Sequence, residues 1–171
     1  MQRDSNRSWF AWLVAAALAL HAAGAAAAPS QCHYCGMRRT EFGHSWVEIR
    51  YDGERPLGFC SLHCASIHLV VRSHKVPGQI LVGDYRTRKL IDARRAHWVI
   101  GGDEPGVMTL RAKWAFEGRT EAEDFIEKHG GRLGCFDEAL KAAFEDMYRD
   151  ILMVEERMDE RRKAAQHPGA R

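Results

Sequence analysis

The sequence has almost no net charge. Its 171 residues include 25 Lys and Arg against 23 Asp and Glu, which gives a formal charge of +2. Proteins that bind nucleic acid or an anionic membrane surface usually carry a clear basic excess. The charge balance indicates neither partner, and we expect no nucleic acid to bind.

The sequence also lacks the short motifs of common enzymes. It contains no P-loop, no G-x-S-x-G turn and no recognisable pairing of a nucleophile with a base. The acidic residues follow the spacing of exposed helix faces and do not suggest a catalytic pair. The sequence therefore predicts a protein that is not an enzyme.

Cysteine is scarce, with five residues, but four of them fall in two close pairs, Cys32 with Cys35 and Cys60 with Cys64. In an oxidising compartment such a set predicts disulfides, with one thiol left over. Cys135 stands alone beside a glycine, and we expect it to be an unpaired buried thiol. Disulfides and metal binding are both open interpretations of the two pairs.

Residues 1–27 have the pattern of a secretory signal peptide. Arg3 and Arg7 supply a basic start, residues 9–20 an apolar stretch, and the alanine-rich run at 22–28 offers cleavage sites. This pattern predicts export to the periplasm and removal of the segment. An uncleaved membrane anchor is the alternative, because the apolar stretch and the alanine run together have about the length of a membrane span.

The remaining sequence predicts an α+β fold of two small ββα-type modules and a C-terminal helix. We place the first module at residues 28–76, the second at 77–134, and the C-terminal helix with its charged tail at 135–171. Alternating apolar and polar residues indicate the strand at 45–51, and turn residues beside short apolar runs indicate strands in the second module. Ser61 and Thr120 are expected to cap helices. The expected strands are 45–51 and 57–60 in the first module and 79–82, 89–92, 97–100 and 107–116 in the second, with helices at 62–72 and 121–129.

The C-terminal helix is expected to begin after Phe136 and to continue through Val154. Residues 155–162 are nearly all charged, which predicts a solvated or frayed helix end. The tail after Ala164 is expected to be disordered.

The sulfur pair Cys35 and Met37 is the strongest local signal for function. Residues two apart in an extended segment point to the same face, and Gly36 between them leaves the approach uncrowded. A thiolate and a thioether are the soft ligands that Cu(I) prefers. The alternative is a buried structural cysteine beside a core methionine, which is common in proteins.

The other paired cysteines extend this signal. Cys32 turns the segment into a C-x-x-C, which is typical of a metal-ligand pair or a redox pair. Cys60 and Cys64 share a face at the expected start of a helix, whose positive end stabilises thiolates. The four thiols could form a site for Cu(I) or for structural zinc, with His63 as a nitrogen ligand, or they could form two disulfides.

Met108 follows a glycine-rich bend at residues 101–106. A side chain at this position can project from the edge of a loop. On spacing alone, however, a methionine is more often part of a core.

Taken together, these residues resemble the NosL family, copper chaperones that mature nitrous oxide reductase. The resemblance covers most of residues 33–131. Its motifs are distinctive in combination and weak individually. They are His33-Tyr34-Cys35-Gly36-Met37, then Ala96-His97-Trp98-Val99-Ile100-Gly101-Gly102 with Gly106-Val107-Met108, and then Ala115-Phe116 with Phe125 and Gly130-Gly131.

The resemblance implies two small ββα-type modules with Cu(I) in the cleft between them. Cys35 and Met37 would bind the ion, and Met108 would supply a further contact from the second module. The resemblance also implies delivery of copper to nitrous oxide reductase, to its membrane transporter complex or to a similar copper enzyme.

The sequence departs from the family in two respects. Members are typically lipoproteins, whereas the residues before Cys32 do not fit a lipidation signal, so we expect the mature protein to have no membrane anchor. Cys32, Cys60 and Cys64 are additional thiols, and with Cys35 they resemble a short heavy-metal trafficking (TRASH-like) motif. Two alternatives follow from them: an interaction module stabilised by zinc or disulfides, and a thiol–disulfide oxidoreductase that uses Cys32 and Cys35.

Overall fold

The computed structural model of the chain describes residues 27–166. The predicted signal peptide lies outside this range apart from residue 27, and so does the end of the predicted disordered tail. Within the described range, no helix is long and apolar enough to cross a membrane. The helices are α1 (Arg39–Phe42), α2 (Leu62–Val71), α3 (Arg119–His129) and α4 (Phe136–Gln166). The strands are β1 (Val47–Arg50), β2 (Leu57–Phe59), β3 (Gln79–Gly83), β4 (Leu90–Asp92), β5 (His97–Ile100), β6 (Lys113–Phe116) and β7 (Arg132–Gly134).

The strands form two small antiparallel sheets with a shared topology. The first sheet has the order β2-β1-β3-β4, and the second has the order β6-β5-β7. In each sheet a hairpin is followed by a helix, and the next strand then pairs with the free edge of the first strand. The predicted α+β class, with two ββα-type modules and a C-terminal helix, is confirmed.

The sheets do not divide where the sequence placed the module boundary. The second module was predicted to begin at residue 77, but β3 pairs with β1, with Ile80 opposite Ile49, and β4 pairs with β3. The first sheet therefore extends to Asp92. A local sequence pattern locates a strand but carries no information about its partner, which is why this boundary was misplaced.

The first sheet packs closely against the segment that precedes β1. A Cβ added to Gly83 at the end of β3 would lie 1.9 Å from the backbone oxygen of Gly43, so only glycine fits there. Trp46, Ile49 and Phe59 have no exposed surface. Their burial supplies much of the hydrophobic stabilisation of this module.

Helix α4 fastens the two modules together. Its first half buries the small residues Ala139, Ala142 and Ala143, which let the helix approach closely. Phe136 packs against Trp98 of β5, with ring centroids 5.9 Å apart. Residues of both sheets and of α4 belong to one continuous hydrophobic core.

Several local boundaries differ from the sequence predictions. Gly118, in an extended conformation, precedes the first residue of α3, so Thr120 is inside the helix and is not its cap. Ser61 does precede α2, but its hydroxyl makes no capping hydrogen bond. Only the end of the predicted strand at 107–116 is a strand. The charged stretch at 155–162, predicted to be a solvated or frayed helix end, is helical as part of α4 and exposed. The short elements α1 and β7 were not predicted.

Candidate metal centre

Cys35 and Met37 lie in a tight loop that precedes α1. The Cys32 N–H donates to the Met37 carbonyl (2.9 Å) and the Gly36 N–H to the Cys32 carbonyl (3.1 Å), so the chain turns back on itself. Gly36 has φ of +73°, in the left-handed region that favours glycine. The segment is therefore a turn, whereas an extended segment was predicted. This turn brings both sulfur side chains to one cleft.

This loop meets the start of α2. The His33 N–H donates to the Gly58 carbonyl of β2 (2.8 Å), and α2 follows β2 almost directly. The Sγ atoms of four cysteines consequently all lie within 4.8 Å of one another, and we call this group the four-thiol cluster. Its members are Cys32, Cys35, Cys60 and Cys64. The Sγ of Cys60 is 3.4 Å from that of Cys35 and 3.7 Å from that of Cys64.

The four-thiol cluster is closed on one side and open on the other. Cys32, Cys60 and Cys64 are buried, whereas Cys35 is exposed. All four are free thiols in the structure. Four thiol sulfurs at this spacing can hold a thiophilic ion, and Cys35 is the member that a second molecule can reach.

The buried thiols perturb one another's protonation. Hydrogen bonds from Cys60 and then from Cys64 lower the pKa of Cys32 well below its ordinary value. The same interaction with Cys32 raises the pKa of Cys60 and that of Cys64. Of these three buried thiols, Cys32 is therefore the one that loses its proton most readily.

Met108 lies in the long loop between β5 and β6. Its φ of +59° is uncommon for any residue other than glycine. The loop is held by α4, because the Leu110 N–H donates to Asp150 Oδ1 (2.9 Å) and Arg111 Nε donates to Asp146 Oδ2 (2.8 Å). The unusual backbone conformation at Met108 is thus fixed by contacts on its C-terminal side.

One cleft joins the two sulfur-bearing loops, and we call it the sulfur cleft. It has a volume of ≈ 870 Å³ and is lined by residues of both loops and of the end of α4. Cys35, Met37 and Met108 all contribute to its walls. Both methionines are half-buried, so each keeps part of its side chain facing the cleft. Cys35 belongs to the sulfur cleft and to the four-thiol cluster at the same time.

His63 lies apart from the sulfur atoms. Its Nδ1 is 3.2 Å from Asp150 Oδ2, and both side chains are buried. Burial lowers the pKa of His63, although the charge of Asp150 acts in the opposite direction. His63 ties α2 to α4, and the geometry does not support its predicted role as a nitrogen ligand.

Asp146 and Asp150 are residues that the sequence reasoning missed. Burial alone raises the pKa of Asp146, but hydrogen bonds from Arg111 and Lys113 lower it below its ordinary value. The two aspartates continue the helical stripe of small buried residues on α4, at positions where a core-facing helix normally carries apolar side chains. Acidic residues at these core-facing positions were the signal from which both residues could have been identified.

Cys135 is exposed and stands outside the cluster, contrary to the expected buried thiol. It follows β7 directly, and its N–H donates to Glu138 Oε2 (3.0 Å). It therefore offers a natural control for experiments on the four clustered cysteines.

The chain is similar to one known protein family and to solved structures of its members. The model of the NosL family matches residues 25–144. The crystal structure of the copper chaperone NosL from Shewanella denitrificans is 30% identical and superposes with a TM-score of 0.55, over 68% of this chain and 93% of that one. The solution structure of apo-NosL from Achromobacter cycloclastes is 22% identical, with a TM-score of 0.39 over 53% of this chain and 82% of that one.

No curated protein sequence matches the chain significantly. The family match nevertheless covers well over half of the chain, and it includes the Cys35 loop, the Met108 loop and both sheets. On these grounds the chain belongs to the NosL family.

Proposed function

We propose that this protein is a periplasmic metallochaperone that binds Cu(I) in the sulfur cleft and delivers it for the assembly of nitrous oxide reductase. The acceptor is the enzyme itself, its membrane transporter complex or a similar copper enzyme. Family membership and the copper chaperone from Shewanella denitrificans support the cargo. The signal-like pattern of residues 1–27 supports the compartment.

The observation that carries the proposal is the position of Cys35. It is the exposed member of a cluster whose other thiols are buried, and it borders a cleft shared with Met37 and Met108. A thiolate with thioether partners matches the preference of Cu(I) for soft ligands. Thioethers also cannot form disulfides, so part of the site survives an oxidising compartment.

The mechanism is ligand exchange, and it needs no catalytic step. Copper held by a few sulfur ligands at an exposed site can gain a ligand from the acceptor before it loses one from the chaperone. Cys35 supplies the charged ligand, and the neutral thioethers hold the ion without adding to that charge. Access to Cys35 from solvent is what such an exchange requires.

An anaerobic titration of the reduced protein with Cu(I), against a competing Cu(I) chelator, tests the proposal. We expect the wild-type protein to withdraw Cu(I) from the chelator and the Cys35→Ser variant to lose tight binding while keeping its fold. Cys135→Ser is the matched control and should bind as the wild type does. Wild-type protein that leaves all Cu(I) on the chelator would contradict the proposal.

A structural zinc site is a second candidate, because four thiol sulfurs within 4.8 Å of one another also suit tetrahedral zinc. Metal analysis of freshly purified protein, together with a count of free thiols, distinguishes the two. Stoichiometric zinc that Cu(I) does not displace would favour the structural role.

A thiol–disulfide oxidoreductase has less support. Thioredoxin-type pairs lower the thiol pKa at a helix N-terminus, but the C-x-x-C here precedes a loop, and α1 begins only at Arg39. Reduction of a small disulfide substrate by the metal-free protein would favour that activity.

A further inference from the structure

The end of α4 reaches the sulfur cleft from outside the region that the family model matches. That match ends at residue 144, whereas α4 continues to Gln166. Residues 154, 157, 158 and 161 line the cleft together with Cys35, Met37 and Met108. The helical continuation is thus a third wall of the cleft, in addition to the two loops.

The sequence of this wall is nearly all charged, with one exception. Every residue from 155 to 163 is charged except Met158. Val154, Met158 and Arg161 are four and three residues apart, which places them on one face of the helix. This face is the one that lines the cleft, so the single uncharged residue of the stretch is directed to the sulfur site.

We propose that Met158 is a further thioether ligand for Cu(I), so that the sulfur cleft offers one thiolate and three thioethers. The inference rests on the proposed function and extends it to a residue outside the matched family region. Met158 is exposed, and no packing requirement explains a methionine at this position of a charged helix. A soft neutral ligand that lines the same cleft as Cys35 does explain it.

The charges around Met158 favour a monovalent ion. Arg157 and Arg161 line the same cleft and bring two positive charges to its edge. Cu(I) bound to one thiolate is neutral, so it meets little repulsion there. A divalent ion with the same ligands keeps a net positive charge and is disfavoured by the two guanidinium groups.

The test uses the methyl groups of the methionines, labelled with ¹³C, in the reduced protein titrated anaerobically with one equivalent of Cu(I). We expect the resonances of Met37, Met108 and Met158 to shift together. Met147 and Met153 lie on the same helix but do not line the cleft, so their resonances should stay in place. They are internal controls for a change of the helix as a whole.

A shift of Met37 and Met108 without Met158 would overturn the inference and leave the proposed function intact. If none of these resonances moves, the proposed binding of Cu(I) in the sulfur cleft is itself contradicted. Met158→Leu, which keeps the side-chain volume, should weaken Cu(I) binding on the order of tenfold. The control Met147→Leu should leave the affinity unchanged, and equal affinities of the two variants would also overturn the inference.

Discussion

The two modules share the arrangement of three strands, to which the first module adds β4, but they differ in the loop that joins their first two strands. In the first module residues 51–56 make a short connection between β1 and β2. In the second module residues 101–112 make a long connection between β5 and β6, and it carries Met108. The first module places its sulfur groups before β1 and at the start of α2 instead, as the four-thiol cluster.

This difference separates two kinds of sulfur site on one scaffold. The first module supplies four clustered thiols, and three of the four are buried. The second module supplies a neutral thioether from a loop that α4 holds in place. Cys35 is the residue at which the two groups meet, because it belongs to the four-thiol cluster and also lines the sulfur cleft with Met108.

The largest expected effect on stability concerns how well each sheet tolerates a side chain at the glycine that ends its equivalent strand. Gly83 and Gly134 end the equivalent strands β3 and β7, but a Cβ on Gly83 meets a backbone oxygen at 1.9 Å, whereas one on Gly134 meets side-chain atoms no closer than 3.0 Å. Gly83→Ala should lower the free energy of unfolding by about 3 kcal/mol and Gly134→Ala by less than about 1 kcal/mol. Chemical denaturation measures both, and equal losses would show that the sheets are equally tolerant.

The next effect concerns the residue that joins the modules. Asp150 accepts from the Leu110 N–H and lies 3.2 Å from His63 Nδ1, so Asp150→Ala leaves the buried His63 and the partly buried Leu110 N–H unpaired. We expect a loss of about 2 kcal/mol in the free energy of unfolding. Cu(I) affinity should fall as well, because the Met108 loop loses its anchor. Asp159→Ala, an exposed position on the same helix, is the control and should change neither quantity noticeably.

A third prediction compares the thioethers of the two modules. Met37→Leu and Met108→Leu each remove one soft ligand with little change in volume, and each should weaken Cu(I) binding on the order of tenfold. Competition with a Cu(I) chelator measures both. If only Met37→Leu has an effect, the ion is held by the first module alone and the comparison between the modules fails.

The smallest effect lies on the surface of the first module. Hydrogen bonds from Arg72 and then Lys75 lower the pKa of Glu54 from 4.5 to about 2. Since the folded-state pKa is depressed, the stabilisation is present above about pH 4.5 and is lost as the pH falls towards 2. Glu54→Gln should therefore lower Tm slightly at neutral pH and not at all near pH 2. A Tm difference that is independent of pH would contradict the assignment to the ion pair.

The sequence predicted elements with a strong pattern and missed those without one. The strand at residues 97–100 was predicted with its observed bounds, because it is a short apolar run that ends at Gly101 and Gly102. Helix α1 and strand β7 span only four and three residues, too few to show a period. The pairing of β3 with β1 depends on contacts distant in sequence, which no local pattern contains.

The site was predictable in its chemistry and less so in its geometry. Two cysteine pairs and the Cys35–Met37 motif indicated candidate ligands, but the clustering of the four cysteines depends on the contact between His33 and Gly58. His63 was predicted as a ligand because it adjoins Cys64, and its partner Asp150 is 87 residues away. Such a partner can be found only once the fold is known.

The most direct test of the account replaces the methionines by selenomethionine and measures X-ray absorption at the copper edge of the reduced, Cu(I)-loaded protein. Selenium can come only from methionine, so copper–selenium scattering reports thioether ligation separately from the cysteines. We predict both sulfur and selenium neighbours, with fewer selenium neighbours in the Met108→Leu variant. Copper surrounded by sulfur alone would place the ion in the four-thiol cluster and contradict a site shared between the modules.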